Sequence, residues 1–486
     1  MQRRELLKLM AMSPAIAEAQ RLDQGPFDID QDDGWQTVLY TTASEKPARN
    51  PGLGLVGYTW EESGPSVAAR EGKETLEQHV ERLSSLPFVD VLYIRCDWRN
   101  VQKQPGRLDL DPIWKLTLAA AKDRKLPVAF RVQLSSPNFE PEQIALPEFL
   151  RERIPLVKIA PKYVEPRYDH PEFQKAFQEL NDLLAAEFDG NPTMEWVDLI
   201  QYGFWGEGHT SNYPNPFPDY TTAERTSVEM TRLQLETWKK TPLAVNTQPD
   251  ISRVGNRRVI DMATQSGAWL RSDSIIVEEP IQIDLLANRP PWLAAILEDG
   301  YFRQYDVDKL ARDEAGVNVM ENYLLHALDV RANYWSLWTE SANLARYNER
   351  YPRGFERLRA NLGYRLRPAW VWQRKRRGGS ELVVGVANRG VAGVPGVLWL
   401  EVKSPDGKTI TRGSLDRGQP TGGGIREAAF TLPQGYAGRI DLSAQIELRP
   451  GVVKPVLWAC EQPLNADGSI AIDVKRPDDK GWRKGV

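Results

Sequence analysis

Short apolar runs alternate with longer amphipathic stretches from about residue 50 to residue 350 of the chain. Eight runs are rich in β-branched or aromatic residues, as expected of buried strands: 53–60, 89–97, 128–134, 196–204, 243–248, 269–276, 292–298 and 332–339. Apolar residues at three- and four-residue spacing predict helices between them, over 74–86, 113–124, 171–188, 222–240 and 317–331. This alternation is typical of a parallel sheet with crossover helices.

Eight strands within about 300 residues predict a (β/α)8 barrel, a fold that takes about 250 residues or more. The alternative is a doubly wound open sheet. No GxGxxG or GxxxxGK[ST] loop follows the first strand, which argues against a nucleotide-binding sheet. We therefore expect an α/β protein with a TIM barrel over residues 51–350, after a lead-in over residues 20–50.

The pattern changes after about residue 350. Residues 351–379 are rich in arginine and are predicted to form a basic, helical connector. Residues 380–486 contain short alternating runs separated by Gly, Pro and Asp, at 382–386, 397–402, 428–432 and 440–446. Such runs predict a small all-β sandwich, an accessory domain that packs on the barrel through an apolar face.

The first 19 residues combine a basic start, a short apolar run and the triplet Ala15-Ile16-Ala17, as in an export signal. Residues 3–8, Arg-Arg-Glu-Leu-Leu-Lys, resemble a twin-arginine export motif. An ordinary amphipathic helix is the alternative. No other stretch approaches the roughly 20 apolar residues that span a bilayer. We predict an exported bacterial protein, periplasmic or secreted, without a membrane span.

Composition narrows the classes of partner. The 62 Lys and Arg nearly balance the 66 Asp and Glu, so the chain lacks the basic character of a nucleic-acid binder. Its two cysteines and four histidines are scattered, which predicts neither a metal site nor a cofactor. The 16 tryptophans provide flat apolar faces with a hydrogen-bonding edge, which suit either sugar stacking or a buried core.

The reactive groups of a (β/α)8 barrel follow the carboxyl ends of its strands. The fourth run continues into Gly203-Phe204-Trp205-Gly206-Glu207-Gly208-His209, which places one acid among glycines and aromatic rings. Glycines let a ligand approach the backbone, and aromatic neighbours would raise the pKa of Glu207 toward that of a general acid. The alternative is a loop glutamate paired with an arginine.

The seventh run closes with Glu298. The proline pair at 290–291 favours a strand here, whereas a short buried helix over 292–297 would leave Glu298 at the surface. Glu278 and Glu279, after the sixth run, are rival acids. They could instead open the following helix, where negative charge is favoured.

Residues 91–98 (VLYIRCDW), followed by QPGRLDL at 104–110, resemble the second-strand region of clan A glycoside hydrolases, in which Arg and Trp precede a Pro-Gly turn. The resemblance covers about residues 50–345. It implies retaining hydrolysis of glycosidic bonds by two carboxylates, without a cofactor. A trailing β-sandwich is also usual in multidomain members of the clan, including β-galactosidase-like and uncharacterised bacterial families.

The resemblance also implies roles for individual residues. Glu207 becomes the acid/base, Glu298 the nucleophile, Arg95 the arginine that orients the nucleophile, and Trp338 the tryptophan beneath the sugar. The clan usually has Asn before the fourth-strand Glu, but this chain has Gly206. Either Asn246 or His209 takes the place of that Asn, or the substrate has changed, or catalysis has been lost.

Further residues at or near strand ends are candidates for binding a carbohydrate substrate. They are Trp60, Trp98, Tyr202, His209, Asn246, Trp335 and Trp338. The aromatic ones could equally be barrel core, because strand side chains alternate between the interior and the helix layer.

We expect an exported retaining glycoside hydrolase acting on a poly- or oligosaccharide. The alternative is a catalytically silent carbohydrate-binding barrel. A metal-dependent hydrolase on this fold ranks last, because it needs several histidines at strand ends and only His209 lies there.

Overall fold

The computed structural model describes residues 34–60, 72–136, 144–272, 279–298, 326–337, 352–377, 379–476 and 479–484, with residues 21, 22, 24–26, 69, 345, 348 and 349. The predicted export signal, Glu278 and Trp338 lie outside these residues. Within the described ranges, no helix is both long enough and apolar enough to cross a bilayer.

The strands are β1 (Gly34–Tyr40), β2 (Gly54–Trp60), β3 (Val91–Asp97), β4 (Val128–Gln133), β5 (Leu156–Ala160), β6 (Tyr163–Pro166), β7 (Met194–Asp198), β8 (Leu243–Asn246), β9 (Trp269–Ser272), β10 (Ala295–Glu298), β11 (Tyr334–Leu337), β12 (Leu366–Arg376), β13 (Gly379–Asn388), β14 (Val397–Lys403), β15 (Thr409–Ser414), β16 (Ile425–Thr431), β17 (Gly438–Arg449), β18 (Val452–Val456), β19 (Ile470–Val474) and β20 (Arg483–Lys484). The described helices are α1 (Leu76–Ser84), α2 (Pro112–Arg124), α3 (Glu148–Arg151), α4 (Pro171–Phe188), α5 (Tyr220–Thr237), α6 (Asn256–Gln265), α7 (Pro280–Ala287) and α8 (Pro352–Asn361).

Eight parallel strands close into a barrel in the order β10-β11-β2-β3-β4-β7-β8-β9. Each contains part of one predicted apolar run, so the (β/α)8 barrel is confirmed and the open sheet is wrong. In particular, residues 295–298 form a strand between β9 and β11, not a helix. Glu298 therefore ends the seventh barrel strand, as predicted.

The fourth barrel strand ends earlier than predicted, at Asp198 rather than residue 204. The backbone of Ile200 pairs with the side chain of Gln234 instead of a neighbouring strand. Its N–H donates to Gln234 Oε1 at 2.7 Å, and its carbonyl accepts from Gln234 Nε2 at 3.0 Å. Glu207 consequently lies in a loop, nine residues beyond the strand.

The barrel interior has an apolar and aromatic layer toward the amino-terminal ends of its strands and a charged layer toward their carboxyl ends. Tyr58, Tyr93, Trp196, Trp269 and Tyr334 form its aromatic layer, with centroid distances of 4.7 Å for Tyr58–Tyr93 and for Trp196–Tyr334. Strand side chains alternate between two faces, so the positions two residues beyond Tyr93, Trp196 and Trp269 also face inward. They are occupied by the buried charged residues Arg95, Asp198 and Arg271. The charged layer therefore lies at the carboxyl ends of the strands.

Two antiparallel sheets lie outside the barrel, in the orders β16-β13-β12-β1-β20 and β15-β14-β17-β18, with β19 also paired to β17. The predicted all-β domain is confirmed, but it is not confined to residues 380–486, because β1 of the predicted lead-in joins the first sheet. A helical connector is wrong for residues 366–376, which form β12 between β1 and β13. Trp370, Val371 and Trp372 alternate between its two faces, a pattern of aromatic and β-branched residues that favours a strand.

The sandwich packs against the amino-terminal end of the barrel. One apolar cluster joins Val56 and Val91 of the barrel to Val384 and Leu400 of the two sheets. Beside it, the buried carboxylate of Glu195 accepts hydrogen bonds from the Gly52 N–H at 2.7 Å, Tyr334 Oη at 2.7 Å and Lys454 Nζ at 2.8 Å. The contact therefore combines an apolar face with one buried ion pair.

We expect Lys454→Met to lower the free energy of unfolding by about 3 kcal/mol at pH 7, because it leaves the Glu195 carboxylate buried without its cation. Burial opposes the charge of Glu195, but Lys454 and the hydrogen bonds from Gly52 and Tyr334 together outweigh burial and hold the pKa of Glu195 below its ordinary value. A lowered pKa stabilises the fold above the ordinary glutamate pKa, and this contribution disappears as the pH falls through the folded-state pKa.

Urea unfolding at pH 7 and at pH 4 measures this effect, and the loss should be smaller at pH 4. Lys408→Met is the matched control, because Lys408 pairs with Asp406 at 2.9 Å at the exposed surface and should contribute little. Equal losses for the two variants would contradict a structural role for the buried pair.

Candidate active site

Three arginines and three acids are buried together in the upper barrel. They are Arg95, Arg131, Arg271, Asp198, Glu207 and Glu298, and we call them the charge network. Five of them extend inward from barrel strands, and Glu207 enters from the loop after β7.

Arg95 connects the two predicted catalytic acids. Its Nη1 donates to Glu298 Oε1 at 2.9 Å, and its Nη2 lies 3.5 Å from Glu298 Oε2. The same Nη2 also donates to Glu207 Oε1. One guanidinium therefore holds both carboxylates, so Glu207 and Glu298 lie close together although they are 91 positions apart in the sequence.

Asp198 connects the other two arginines. Arg131 places Nε 3.2 Å from Asp198 Oδ2 and Nη1 2.8 Å from Glu207 Oε1. Arg271 places Nη1 3.4 Å from Asp198 Oδ2 and Nη2 2.7 Å from Glu298 Oε2. The carboxylate of Asp198 thereby fixes the two guanidinium groups that contact Glu207 and Glu298.

Neutral side chains complete the coordination of the charge network. Trp196 Nε1 donates to Asp198 Oδ1 at 2.8 Å, and the Tyr93 hydroxyl donates to Asp198 Oδ2. Arg271 also donates to the Tyr58 hydroxyl at 2.7 Å. Burial works against the charge of Arg271, but Asp198 leads the groups that hold its pKa above the ordinary arginine value.

Glu207 is 2% exposed and lies on a turn of residues 203–209. Gly203 has φ +79°, and a Cβ there would lie 2.1 Å from the His209 carbonyl oxygen, so the turn requires glycine at this position. Phe204 N–H donates to the His209 carbonyl at 2.7 Å, which closes the turn. The glycine-rich sequence therefore places Glu207 and His209 on one compact loop.

The prediction that aromatic neighbours raise the pKa of Glu207 is wrong for this structure. Burial does oppose its charge, but Arg95, the hydrogen bond with His209 and Arg131 together outweigh burial. They hold the pKa of Glu207 well below its ordinary value. The carboxyl group is therefore an anion in the unliganded protein.

His209 is oriented toward this carboxylate. Its Nδ1 accepts the Ser211 N–H at 3.0 Å, so a neutral ring carries its proton on Nε2. Nε2 lies 3.2 Å from Glu207 Oε2 and can donate to it. His209 therefore fixes the orientation of the Glu207 carboxylate through a hydrogen bond.

Asn246 ends β8 and aligns with Arg271 of the neighbouring strand. Its Oδ1 accepts the Gln248 N–H at 3.2 Å. Its Nδ2 is buried and has no hydrogen-bond partner among the described residues. Such a donor at the charged end of the barrel suits a ligand hydroxyl.

The aromatic candidates for sugar binding that the structure describes lie in the outer layer of the barrel, outside the charge network. Trp98 is fully buried in the outer layer and donates to Gln102 at 2.8 Å. Trp335 is likewise buried, against Phe355. The remaining described candidates lie in the same layer, Tyr202 in an aromatic cluster and Trp60 beyond a β-bulge.

The rival acid Glu279 lies at the exposed start of α7, where its N–H donates to Gln282 Oε1 at 3.0 Å. It contacts no described member of the charge network. The structure therefore groups four candidates: Arg95, Glu207, His209 and Glu298.

Sequence reasoning missed Arg131, Asp198 and Arg271. Each lies two residues beyond an inward apolar or aromatic residue, namely Ala129, Trp196 and Trp269. A charged residue at an inward position of an otherwise apolar strand was the signal that could have identified them. Among the described residues, no group of three or more His, Cys, Asp or Glu side chains could hold a metal ion.

No protein-family model and no curated protein matches this chain. Solved structures resemble it at low sequence identity. A thermostable mutant of a xylanase from Cellvibrio japonicus is 11% identical at a TM-score of 0.37, over 60% of this chain and 86% of its own. The tri-modular endo-β-1,4-glucanase B from Bacillus halodurans is 9% identical at a TM-score of 0.42, over 90% of this chain and 99% of its own.

A β-galactosidase from Rahnella sp. R3 is 12% identical at a TM-score of 0.40, over 66% of this chain and 57% of its own. All three neighbours are glycoside hydrolases. TM-scores below 0.5 leave the function to be argued from the residues of this chain.

We expect the stabilities of Asp198 and Arg131 variants to be coupled. Asp198→Asn and Arg131→Met should each lower the free energy of unfolding by about 3 kcal/mol, because each leaves buried charges without a partner. The double variant restores equal numbers of charges. Its loss in free energy of unfolding should therefore be smaller than the sum of the two single losses, by about 1–3 kcal/mol.

Urea unfolding of all four proteins measures the coupling. Additive losses would show that the two side chains act independently, and would contradict a single charge network.

Proposed function

We propose that this chain is a retaining glycoside hydrolase that cleaves a poly- or oligosaccharide. The observation that carries the proposal is the pair of buried carboxylates, Glu207 and Glu298, on the single guanidinium of Arg95. Glu298 ends a barrel strand and Glu207 belongs to a loop that follows one, at the end of the barrel where barrels of this type carry their active sites.

In this proposal Glu298 is the nucleophile. It attacks the anomeric carbon, the bond to the glycosidic oxygen breaks, and Glu207 protonates the departing oxygen. Glu207 then removes a proton from water, and the water displaces Glu298 from the sugar. Arg95 and Arg271 place two positive charges beside Glu298, which suits a group that attacks as an anion.

The proposed acid step needs a proton on Glu207, whose pKa is low in the unliganded protein. Solvent has to supply this proton when substrate binding separates Glu207 from its arginine partners. His209 Nε2, 3.2 Å from Glu207 Oε2, then orients the carboxyl group as a hydrogen-bond partner, and we assign Asn246 to a sugar hydroxyl. Trp338 remains a proposed sugar platform on the strength of the sequence alone.

We propose retention of configuration at the anomeric carbon because the carboxylates of Glu207 and Glu298 lie close together. Retaining enzymes hold their carboxyl groups about 5–5.5 Å apart, whereas inverting enzymes leave about 6.5–9.5 Å for a water molecule. Contact of Glu207 and Glu298 with the same Arg95 nitrogen favours the shorter separation.

A catalytically silent carbohydrate-binding barrel is the second candidate. The low pKa of Glu207 and Gly206 in place of the clan's asparagine favour it. A screen of the purified protein against aryl glycosides and polysaccharides separates the two, because a silent barrel would bind sugars without releasing product.

We expect Glu298→Gly to abolish hydrolysis, because no group remains to attack the anomeric carbon. Added formate or azide should restore part of the activity on an aryl glycoside by replacing the missing carboxylate.

Glu207→Gln should lower kcat by about 10²- to 10⁴-fold on an unactivated substrate, because Gln cannot donate a proton.

Glu279→Gln is the matched control, since this acid lies outside the charge network, and it should keep wild-type rates. Wild-type activity in Glu298→Gly would contradict the nucleophile, and a product of inverted configuration would contradict retention.

We also propose that the protein is exported through the twin-arginine motif at Arg3 and Arg4. The wild-type chain should reach the periplasm with its first 17 residues removed after Ala17. Lysine at both positions should retain it in the cytoplasm. Cell fractionation with amino-terminal sequencing measures this, and an uncleaved cytoplasmic wild-type chain would contradict export.

A further inference from the structure

A second buried acid, Glu165, lies outside the charge network. It belongs to β6, which pairs with β5 in a hairpin inserted between β4 and α4. Its side chain is 0% exposed. Because a buried carboxyl group is costly unless it is hydrogen-bonded, its partners indicate what the group does.

Each oxygen of Glu165 accepts one hydroxyl group. Ser135 Oγ donates to Oε1, and Tyr168 Oη donates to Oε2 at 2.5 Å. Ser135 follows β4 and Tyr168 precedes α4, so the carboxyl group joins the two ends of the β5–β6 insertion. We call Glu165, Ser135 and Tyr168 the Glu165 network.

Both partners also hold the turn that carries Glu207. The carbonyl oxygen of Ser135 accepts the Trp205 N–H at 3.0 Å. The hydroxyl oxygen of Tyr168 accepts the Gly203 N–H at 3.0 Å. Glu165 therefore fixes two groups that bind the backbone of residues 203–209 at two separate points.

We propose that Glu165 is a positioning residue, which sets the 203–209 turn and hence the placement of Glu207 and His209 against Glu298. This inference rests on the proposed function for its effect on turnover. Its structural part, control of the turn by the carboxyl group of Glu165, stands independently of the reaction.

The ionisation of Glu165 should matter to this control. Burial raises its pKa to about 7, against the hydrogen bonds from Ser135 and Tyr168. The titratable groups that face it are the phenols of Tyr168 and Tyr202, and burial raises the pKa of each, so both remain neutral. No described cation pairs with Glu165 in this network.

The ionised carboxyl group of Glu165 carries no proton, so it can accept hydrogen bonds from the hydroxyl groups of Ser135 and Tyr168 at the same time. A protonated carboxyl group must donate that proton, so Ser135 or Tyr168 has to reorient. The turn should therefore be held more firmly as the pH rises through about 7, where Glu165 loses its proton.

The first test measures turnover against pH. Glu165→Gln should lower kcat about 10- to 100-fold with little change in KM, because Glu207 is misplaced while the rest of the sugar site remains. Wild-type kcat should show an inflection near pH 7 that the variant lacks, since Gln does not titrate. Tyr168→Phe and Ser135→Ala remove one contact each and should have smaller effects.

Glu195→Gln is the matched control, because Glu195 is an equally buried acid at the opposite end of the barrel. It should leave the inflection in place. An unchanged kcat and an unchanged pH profile in Glu165→Gln would overturn the proposal.

The second test needs no substrate. Hydrogen exchange at the Gly203 and Trp205 amides should slow, relative to the unstructured rate, as the pH of the wild type rises through 7. Glu165→Gln should show no such step and faster exchange at both amides, while Glu195→Gln should behave like the wild type. If Glu165→Gln does not fold, Tyr168→Phe should speed exchange at Gly203 more than at Trp205.

The two tests separate the two proposals. Hydrogen exchange that slows near pH 7 in a protein without glycosidase activity would support the role of Glu165 and contradict the proposed function. Identical exchange in wild type and variants would overturn the role of Glu165 whatever the activity.

Discussion

The balance of three guanidinium groups and three carboxylates inside the barrel is the constraint on which the rest of this structure depends. Each of these groups would be costly to bury alone, and pairing makes their burial possible. Asp198 holds Arg131 and Arg271, and these with Arg95 hold Glu207 and Glu298. The geometry of the two candidate catalytic acids is therefore a consequence of the whole charge network.

The remainder of the fold leaves only one end of the barrel for this network. The sandwich covers the amino-terminal end, where the apolar interior continues into the core between its two sheets. Aromatic side chains fill the middle layer. Polar groups consequently collect at the carboxyl ends of the strands, where loops such as the 203–209 turn can add to them.

The sequence predicted the eight barrel strands because alternation of buried strands with amphipathic helices is a local signal. It also located Glu298, since an acid at the end of an apolar run is visible without a structure. Asp198 and Arg271 were visible only as charged residues at inward positions of apolar strands, because their partners depend on which strands become neighbours in the closed barrel. The strand at 366–376 was missed because its arginines obscured the alternation of its tryptophans.

The low pKa of Glu207 also depends on tertiary structure, because Arg95 and Arg131 come from other strands. Trapping the covalent intermediate would show which carboxylate attacks the sugar. The protein would be incubated with activated 2-fluoro glycosides, digested, and mapped by mass spectrometry. We expect a glycosyl group on Glu298; a label on Glu207, Glu278 or Glu279, or turnover without any covalent intermediate, would contradict the role of Glu298 as nucleophile.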